Sequence, residues 1–450
     1  MRTRKILPAI TGDPHLSATA TRSVYRGWKS LRLANGLIEV QVVPNIGGRI
    51  IQLKLEDFEY FWVNDQLAGK PPTASGLGDN DAWLNYGGSK LWPAPQGWES
   101  DNLWPGPPDA VLDGSPHVGS ILAPNRQFAS VQVTSQKDKR SGIQFTRRLK
   151  LYESGAHVSI DCRMENIDTK PRRWGIWQVT QHNTANRSHP GYDENVHVYC
   201  PIKAESKHPK GYKVIFGPDD NPEFSVKDGM MSAKYLHQVG KIGMDCSAGW
   251  YALVNETCGY VFVERFDWTA GREYPDDASF ELWTQGTGTI QAYGREIEMP
   301  DKLEENPYLL ETEVLSPFAR IEPGDSASFH TDWYVTRIGE HLPVIACSPV
   351  GVTCKPLQVS RCGHKLALES GHFGVFELGE AALAFVDADE VEIGRGTARV
   401  TVSPKRPLTT EGLTKLAESA EIPSKTHHVS LIIFNKSRNT IGNLASTSVD

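Results

Sequence analysis

Apolar and polar residues alternate with a period of two through much of the first 340 positions, the signature of strands that bury one face. Ile38, Val40 and Val42 alternate with Glu39 and Gln41 just after Asn35-Gly36, a pair that favours a tight hairpin turn. Val158, Ile160, Cys162 and Met164 alternate in the same way with Ser159, Asp161 and Arg163. Further strand-like runs fall at 143–151, 174–181, 251–256, 259–266, 279–285 and 328–336, punctuated by Gly and Pro. That spacing predicts an all-β fold built as a large antiparallel β-sandwich. Helical periodicity occurs once, at 410–421: Leu413, Leu416, Ala417 and Ala420 share a face, Thr409 or Thr410 supplies an N-cap, and Pro423 closes the segment. Beyond about residue 340 short strands restart at 365–369, 374–378, 382–388, 398–403 and 428–434. The pattern divides the chain into an N-terminal arm (1–22), a main β-sandwich (23–340) and a small β-rich accessory domain (341–450).

Residues 65–127 break the alternation and are rich in Gly, Pro, Trp and Asn. A loop of that length inside a compact domain is usually functional or disordered. Trp83, Trp92, Trp98 and Trp104 argue against disorder, since such bulk demands burial or a ligand. Tryptophan faces stack on the C–H faces of sugars, and polar side chains meet the hydroxyl rims, so Trp83, Asn85, Lys90, Trp92 and Arg49 are candidate lining residues. The competing reading is that the tryptophans plug one end of the sandwich.

Composition narrows the function classes. With 47 basic and 54 acidic residues and a net charge of -7, no basic block tracks phosphates, and nucleic acid is not an expected partner. Apolar runs are strand-length, short of the ~20 residues that span a bilayer. The first residues, with Pro8 interrupting a short apolar patch, do not read as a secretory signal. Seven cysteines scattered between Cys162 and Cys362 do not form a disulfide framework, and buried thiols in a cytoplasmic, reducing location are expected. The set Cys347, Cys354, Cys362 and His364 lacks paired Cys-x-x-Cys spacing, and neither a metal nor a cofactor is expected. Nucleotide-binding glycine motifs, a GxSxG elbow and an HExxH helix are all missing from the sequence.

Two carboxylates carry the candidate chemistry. In an extended run through 308–315, Glu311 and Glu313 share a face between Leu309 and Leu315. Acids among apolar neighbours have raised pKa values that suit proton transfer. On the run 176–182, His182 shares a face with Gln178 and Thr180, while Trp177 and Val179 face the other way. Glu281 shares its strand face with Trp283 and Gln285. His182, His189 and His197 lie on one irregular segment and need not converge on a metal.

The run Leu310-Glu311-Thr312-Glu313, followed by Pro323-Gly324-Asp325 and Asp332-Trp333-Tyr334, resembles the closing segment of the galactose mutarotase (aldose 1-epimerase) superfamily. Trp177-Gln178-Val179-Thr180-Gln181-His182-Asn183 is similar to its Thr-Asn-His-like motif, and Gly36 to Val40 with Pro44 to Arg49 resembles its opening hairpin. The resemblance runs in family order over roughly residues 30 to 340 and implies a mutarotase-type sandwich with a carbohydrate site. It assigns the base to Glu311 and the acid to His182, with Gln181 and Glu313 beside them, and a hydroxyl-holding aspartate to Asp245. One departure stands out. Where the family carries a further histidine, this chain reads Asn85-Tyr86-Gly87-Gly88, so Tyr86 becomes a candidate proton handler with a much higher ordinary pKa, near ~10. The segment is most similar to a bacterial branch of the superfamily with no assigned function. The expectation is an acid–base enzyme on a sugar or oligosaccharide. A non-catalytic carbohydrate binder or sensor, and a polysaccharide lyase or hydrolase using Tyr86 and His182, are the rivals.

Overall fold

The computed structural model describes residues 17–70, 73, 75–292 and 295–449; the first sixteen residues of the N-terminal arm lie outside them. Two antiparallel sheets of twelve and ten strands build the main body. From its centre to one edge the twelve-stranded sheet runs, in spatial order, Ser89–Ala94, Arg172–Asn183, Leu309–Leu315, Phe280–Thr284, Gly240–Met244 and Lys213–Phe216. The centre of the ten-stranded sheet is Trp250–Asn255, Tyr260–Phe266, Ser326–Arg337, His157–Asn166 and Ile143–Tyr152. Thr19–Tyr25 is an edge strand of the twelve-stranded sheet.

The strands form where the alternation places them. Asn35 closes its hairpin as an Asx turn, its Oδ1 accepting from the amides of Leu37 and Ile38 at 3.0 Å each. Between the sheets pack residues such as Val40, Leu149, Ile160, Leu253, Phe262 and Trp333, each fully or nearly fully buried. Burial of this kind stabilises by roughly 25 cal/mol per Å² of apolar surface, so the interface between the sheets dominates the energetics.

A polar layer interrupts that core. Arg147 donates from Nη2 to Ser89 Oγ and Gln178 Oε1, both at 2.8 Å. Gln178 Nε2 donates to Glu264, and Tyr251 Oη–H donates to Glu264 Oε2 at 2.8 Å. Tyr251 Oη also meets Thr312 Oγ1 at 2.6 Å. Arg147 is 3 % exposed and Glu264, Gln178, Tyr251 and Thr312 are 0 % exposed, so these groups satisfy one another rather than water. Burial is the first cause of the rise of the Glu264 carboxyl to about 7.

The C-terminal strands form two smaller sheets of three and five strands, with the helix Thr410–Glu418 beside them. They do not stand apart from the sandwich. Val352, Cys354 and Phe376 pack with Trp250, Ala252, Val261, Val263 and Tyr334, the side chains that the ten-stranded sheet turns away from the sandwich core. The amide of Ala156 donates to Phe376 O at 2.7 Å, and Thr336 Oγ1 donates to Val375 O at 2.9 Å.

Candidate functional site

The outer face of the twelve-stranded sheet holds a cleft of about 170 Å³. A single water needs only ~15 Å³, so the space suits a ligand of many atoms. Its floor is set by strand register. Gln181 pairs directly with Glu311 across two strands, and Glu281 pairs directly with Glu313 across the next two. Two carboxylates directly opposite repel unless a cation joins them. Lys241, from the following strand, does so, with Nζ 2.7 Å from Glu281 Oε2 and 3.0 Å from Glu313 Oε2. Trp177 Nε1 donates to Glu313 Oε2 at 2.9 Å, and Lys241 Nζ lies 4.5 Å from the centre of the Trp177 ring.

A second ion pair stands beside the first. Lys90 Nζ donates to Glu311 Oε1 at 2.8 Å, and Gln181 Nε2 donates to the same oxygen at 2.7 Å. Lys90 is 2 % exposed and sits 4.6 Å from the Trp92 ring centre and 5.1 Å from that of Trp83. Burial pulls the Lys90 ammonium below the usual lysine range, while Glu311 opposes that fall. Burial is also the largest cause of the rise of Glu313 to about 8; Lys241 opposes it, and Glu281 and Glu311 add to it. Lys241 stays above its ordinary range: burial lowers it, but Glu281 and Glu313 together outweigh burial.

The long tryptophan-rich loop makes the wall. Asp113 accepts from Trp83 Nε1 at 2.7 Å through Oδ2 and from Trp92 Nε1 at 3.1 Å through Oδ1. Arg49 holds that aspartate through Nη2 at 2.7 Å. Gly47 admits the loop, because its φ is +72° and a Cβ there would stand 1.9 Å from Asp113 O. Trp104, 1 % exposed, packs against Trp92 at 4.9 Å between ring centres and is a plug; Trp98, 36 % exposed, lines the cleft mouth. The loop thus fills both roles that its sequence left open.

Several sequence candidates converge. Trp83, Asn85, Trp92, Gln181, Glu311 and Glu313 all line the cleft. Lys90 and Glu281 lie beneath its floor as counter-charges. Others do not arrive. His182, 0 % exposed, points into the sandwich, where Nε2 meets Thr312 Oγ1 at 2.8 Å and the ring packs edge-on against Phe61 and Phe262. Burial drives its pKa down to about 3, so it stays neutral and faces away from any ligand in the cleft. The expected partition of faces on its strand holds, but Trp177 and Gln181 are on the open side and His182 on the closed one. Tyr86, 1 % exposed, packs edge-on against Trp28 at 6.0 Å and lines no part of the cleft. Arg49, 0 % exposed, does not line the cleft and holds Asp113 behind its wall. Asp245 accepts from Ser206 Oγ at 2.7 Å in a separate surface depression with Lys203 and Lys207. His197 pairs with Glu256 at 3.1 Å rather than with the other histidines of its segment. Among the described residues no cluster of three His, Cys, Asp or Glu side chains is arranged to hold a metal.

Sequence reasoning missed Lys241, Trp177 and Asp113 as parts of the site. Lys241 lies on the short strand Gly240–Met244, all of whose residues are buried, so no alternation marked its open face. No helix among the described residues is long and apolar enough to cross a membrane.

Residues 28–336 match the family described as "Domain of unknown function (DUF4380)". No curated protein matches the sequence. Among solved structures, a galactose mutarotase-like protein from Clostridium acetobutylicum is 11 % identical, with 72 % of this chain and 99 % of that one covered and a TM-score of 0.44. A galactose mutarotase-like protein from Lactobacillus casei ATCC 334 is 10 % identical, covering 68 % of this chain and 99 % of that one, with a TM-score of 0.43.

Proposed function

Because the chain belongs to the family described as Domain of unknown function (DUF4380), a description that assigns no chemistry, we propose a function from the cleft itself. The protein binds a sugar or short oligosaccharide between its tryptophans and moves protons on it with Glu311 and Glu313. The observation that carries this reading is the pair of carboxylates on one strand face, both lining a tryptophan-walled cleft yet held by different partners. Glu311 is fixed by Lys90 and Gln181 through one oxygen, and its Oε2 accepts none of the hydrogen bonds among the described residues, so it suits a base. Glu313, raised to about 8, keeps a proton at neutral pH and suits an acid. Neighbouring same-face side chains on a strand stand about 6–7 Å apart, so both can reach one bound ring.

For anomer interconversion, Glu311 takes the proton of the anomeric hydroxyl as Glu313 gives one to the ring oxygen. The ring opens, the carbonyl turns, and the reverse transfers close it on the other face. This replaces the glutamate–histidine pair that the resemblance implied, since Gln181, which cannot titrate, stands directly opposite Glu311. The lyase or hydrolase reading through Tyr86 and His182 is dropped, as neither reaches the cleft. A non-catalytic sugar binder is favoured by one observation: both carboxylates already hold lysine partners.

One experiment separates the two readings. Exchange between anomers of a panel of aldoses is followed by NMR while tryptophan fluorescence reports binding. Binding with accelerated exchange supports the enzyme, and binding without it leaves the binder. A panel that gives neither removes the carbohydrate reading.

A further inference from the structure

The cleft floor holds three carboxyls against two ammonium groups, so its charges balance only while Glu313 keeps its proton. Glu281, Glu311 and Glu313 face two ammonium groups, Lys90 and Lys241, and every one of these groups is at most 14 % exposed. The neighbouring charges do not close the gap, because Arg49 is spent on Asp113, and Asp276, on the adjoining turn, is raised to about 6 first by burial and then by Glu281. The indole donors are spent too. Trp83 and Trp92 give theirs to Asp113, Trp177 to Glu313, Trp283 to Gln285, and Trp98 to Pro105 O. Apart from the Asn85 amide and the lysine ammonium groups, what remains toward the cleft is ring faces and lone pairs.

Gln181 makes the same point independently. It is 1 % exposed, lines the cleft, and its Oε1 has no partner among the described residues. Its orientation is fixed, because only the amide nitrogen can donate to the Glu311 carboxylate at 2.7 Å. A buried acceptor left without a donor is destabilising, and a ligand donor would relieve it.

Resting on the reading of the cleft as a sugar site, we infer that its ligand is an amino sugar whose ammonium group enters between Gln181 Oε1, Glu311 and Glu313 and serves as the third cation beside the three carboxyls. Aromatic faces beside carboxylates favour a cation over a neutral group. The same surplus of carboxylate disfavours a uronate. The ammonium also changes the titration of Glu313, which faces Lys241, Glu281, Glu311 and the Trp177 indole from the surrounding strands. A cation beside it lowers its pKa from about 8 toward neutrality, so binding releases part of a proton and leaves Glu313 a stronger acid for the ring oxygen.

The test uses the intact protein and calorimetric titration with matched hexosamines, hexoses, N-acetylhexosamines and hexuronates of several configurations. It is run at about pH 6.5, below the ordinary range of amines, in two buffers of different ionisation enthalpy. The expected result is binding of one hexosamine at least about tenfold tighter than its neutral and N-acetylated counterparts. Proton release should accompany that amine alone, and the uronate should bind weakest. Glu313→Gln should narrow the gap between amine and neutral sugar. Equal binding of amine and neutral sugar, or tighter binding of the uronate, overturns this inference and leaves the carbohydrate reading standing. If no sugar of any charge binds, both fall.

Discussion

The strand pair Arg172–Asn183 and Leu309–Leu315 carries two polar sets on its two faces, and they do opposite things. Inward, Gln178, His182 and Thr312 join Arg147, Tyr251 and Glu264 in a sealed layer whose hydrogen bonds run between protein groups, and the atoms left over there, Arg147 Nε and His182 Nδ1, are closed off from any ligand. Outward, Gln181, Glu311 and Glu313 carry unspent capacity: a free amide oxygen, a free carboxylate oxygen and a raised carboxyl. A polar stripe on a strand therefore does not by itself mark a site. What distinguishes the open set is that its spare capacity lines a cleft.

The comparison breaks first at Glu311. Glu311→Gln should lower turnover by about 10²–10⁴-fold on any aldose that the protein interconverts, as loss of a general base does. Full turnover in that variant, measured by anomer exchange, would remove Glu311 from the chemistry. Its unfolding midpoint should move less than that of the inward variant, because glutamine keeps an oxygen for Lys90. Arg147→Ala, by contrast, strips Gln178 and Glu264 of their buried cation and should cost about 3–5 kcal/mol in denaturant unfolding. If it unfolds like the parent, the inner layer is not the fastening that its hydrogen bonds suggest.

A pH series sharpens the contrast. Glu264 is raised to about 7 by burial, against an unfolded value near ~4.5. Its contribution to stability is complete below about 4.5 and is lost as pH rises toward 7, because the unfolded chain then ionises while the folded one holds its proton. The difference in stability between parent and Glu264→Gln should therefore change by about 3 kcal/mol between acid and neutral pH, with the parent losing ground as pH rises. A difference that is flat with pH would refute this. The smallest effect is expected at the cleft mouth. Trp98→Ala should leave the unfolding midpoint nearly unchanged and weaken sugar binding by roughly 1 kcal/mol, the usual size of one aromatic contact. Trp92→Ala is the informative opposite: packed on Trp104 and Trp177 and 3 % exposed, it should cost about 3–5 kcal/mol of stability, so it is no clean probe of binding.

Much of this could be read from the chain. The alternation at 143–151 and 328–336 marked strands now seen at Ile143–Tyr152 and Ser326–Arg337, and Asn35-Gly36 marked its hairpin. Glu311 and Glu313 were legible as same-face neighbours because that depends only on the period of a strand. Which side of the sheet is open depends on what covers it. The stripe Gln178, Thr180 and His182 looks solvent-facing in sequence, yet Arg147 and Glu264 from the other sheet complete it. Lys241 escaped for a related reason. Its partners Glu281 and Glu313 lie 40 and 72 positions away, and only sheet order brings the three together.

The C-terminal sheets sit on the face of the ten-stranded sheet that points away from the cleft. For anyone building with this protein, that arrangement acts as a handle. A support, a label or a second protein joined through the strand Thr440–Ser448 would lie across the thickness of the sandwich from the tryptophans and leave the cleft mouth clear.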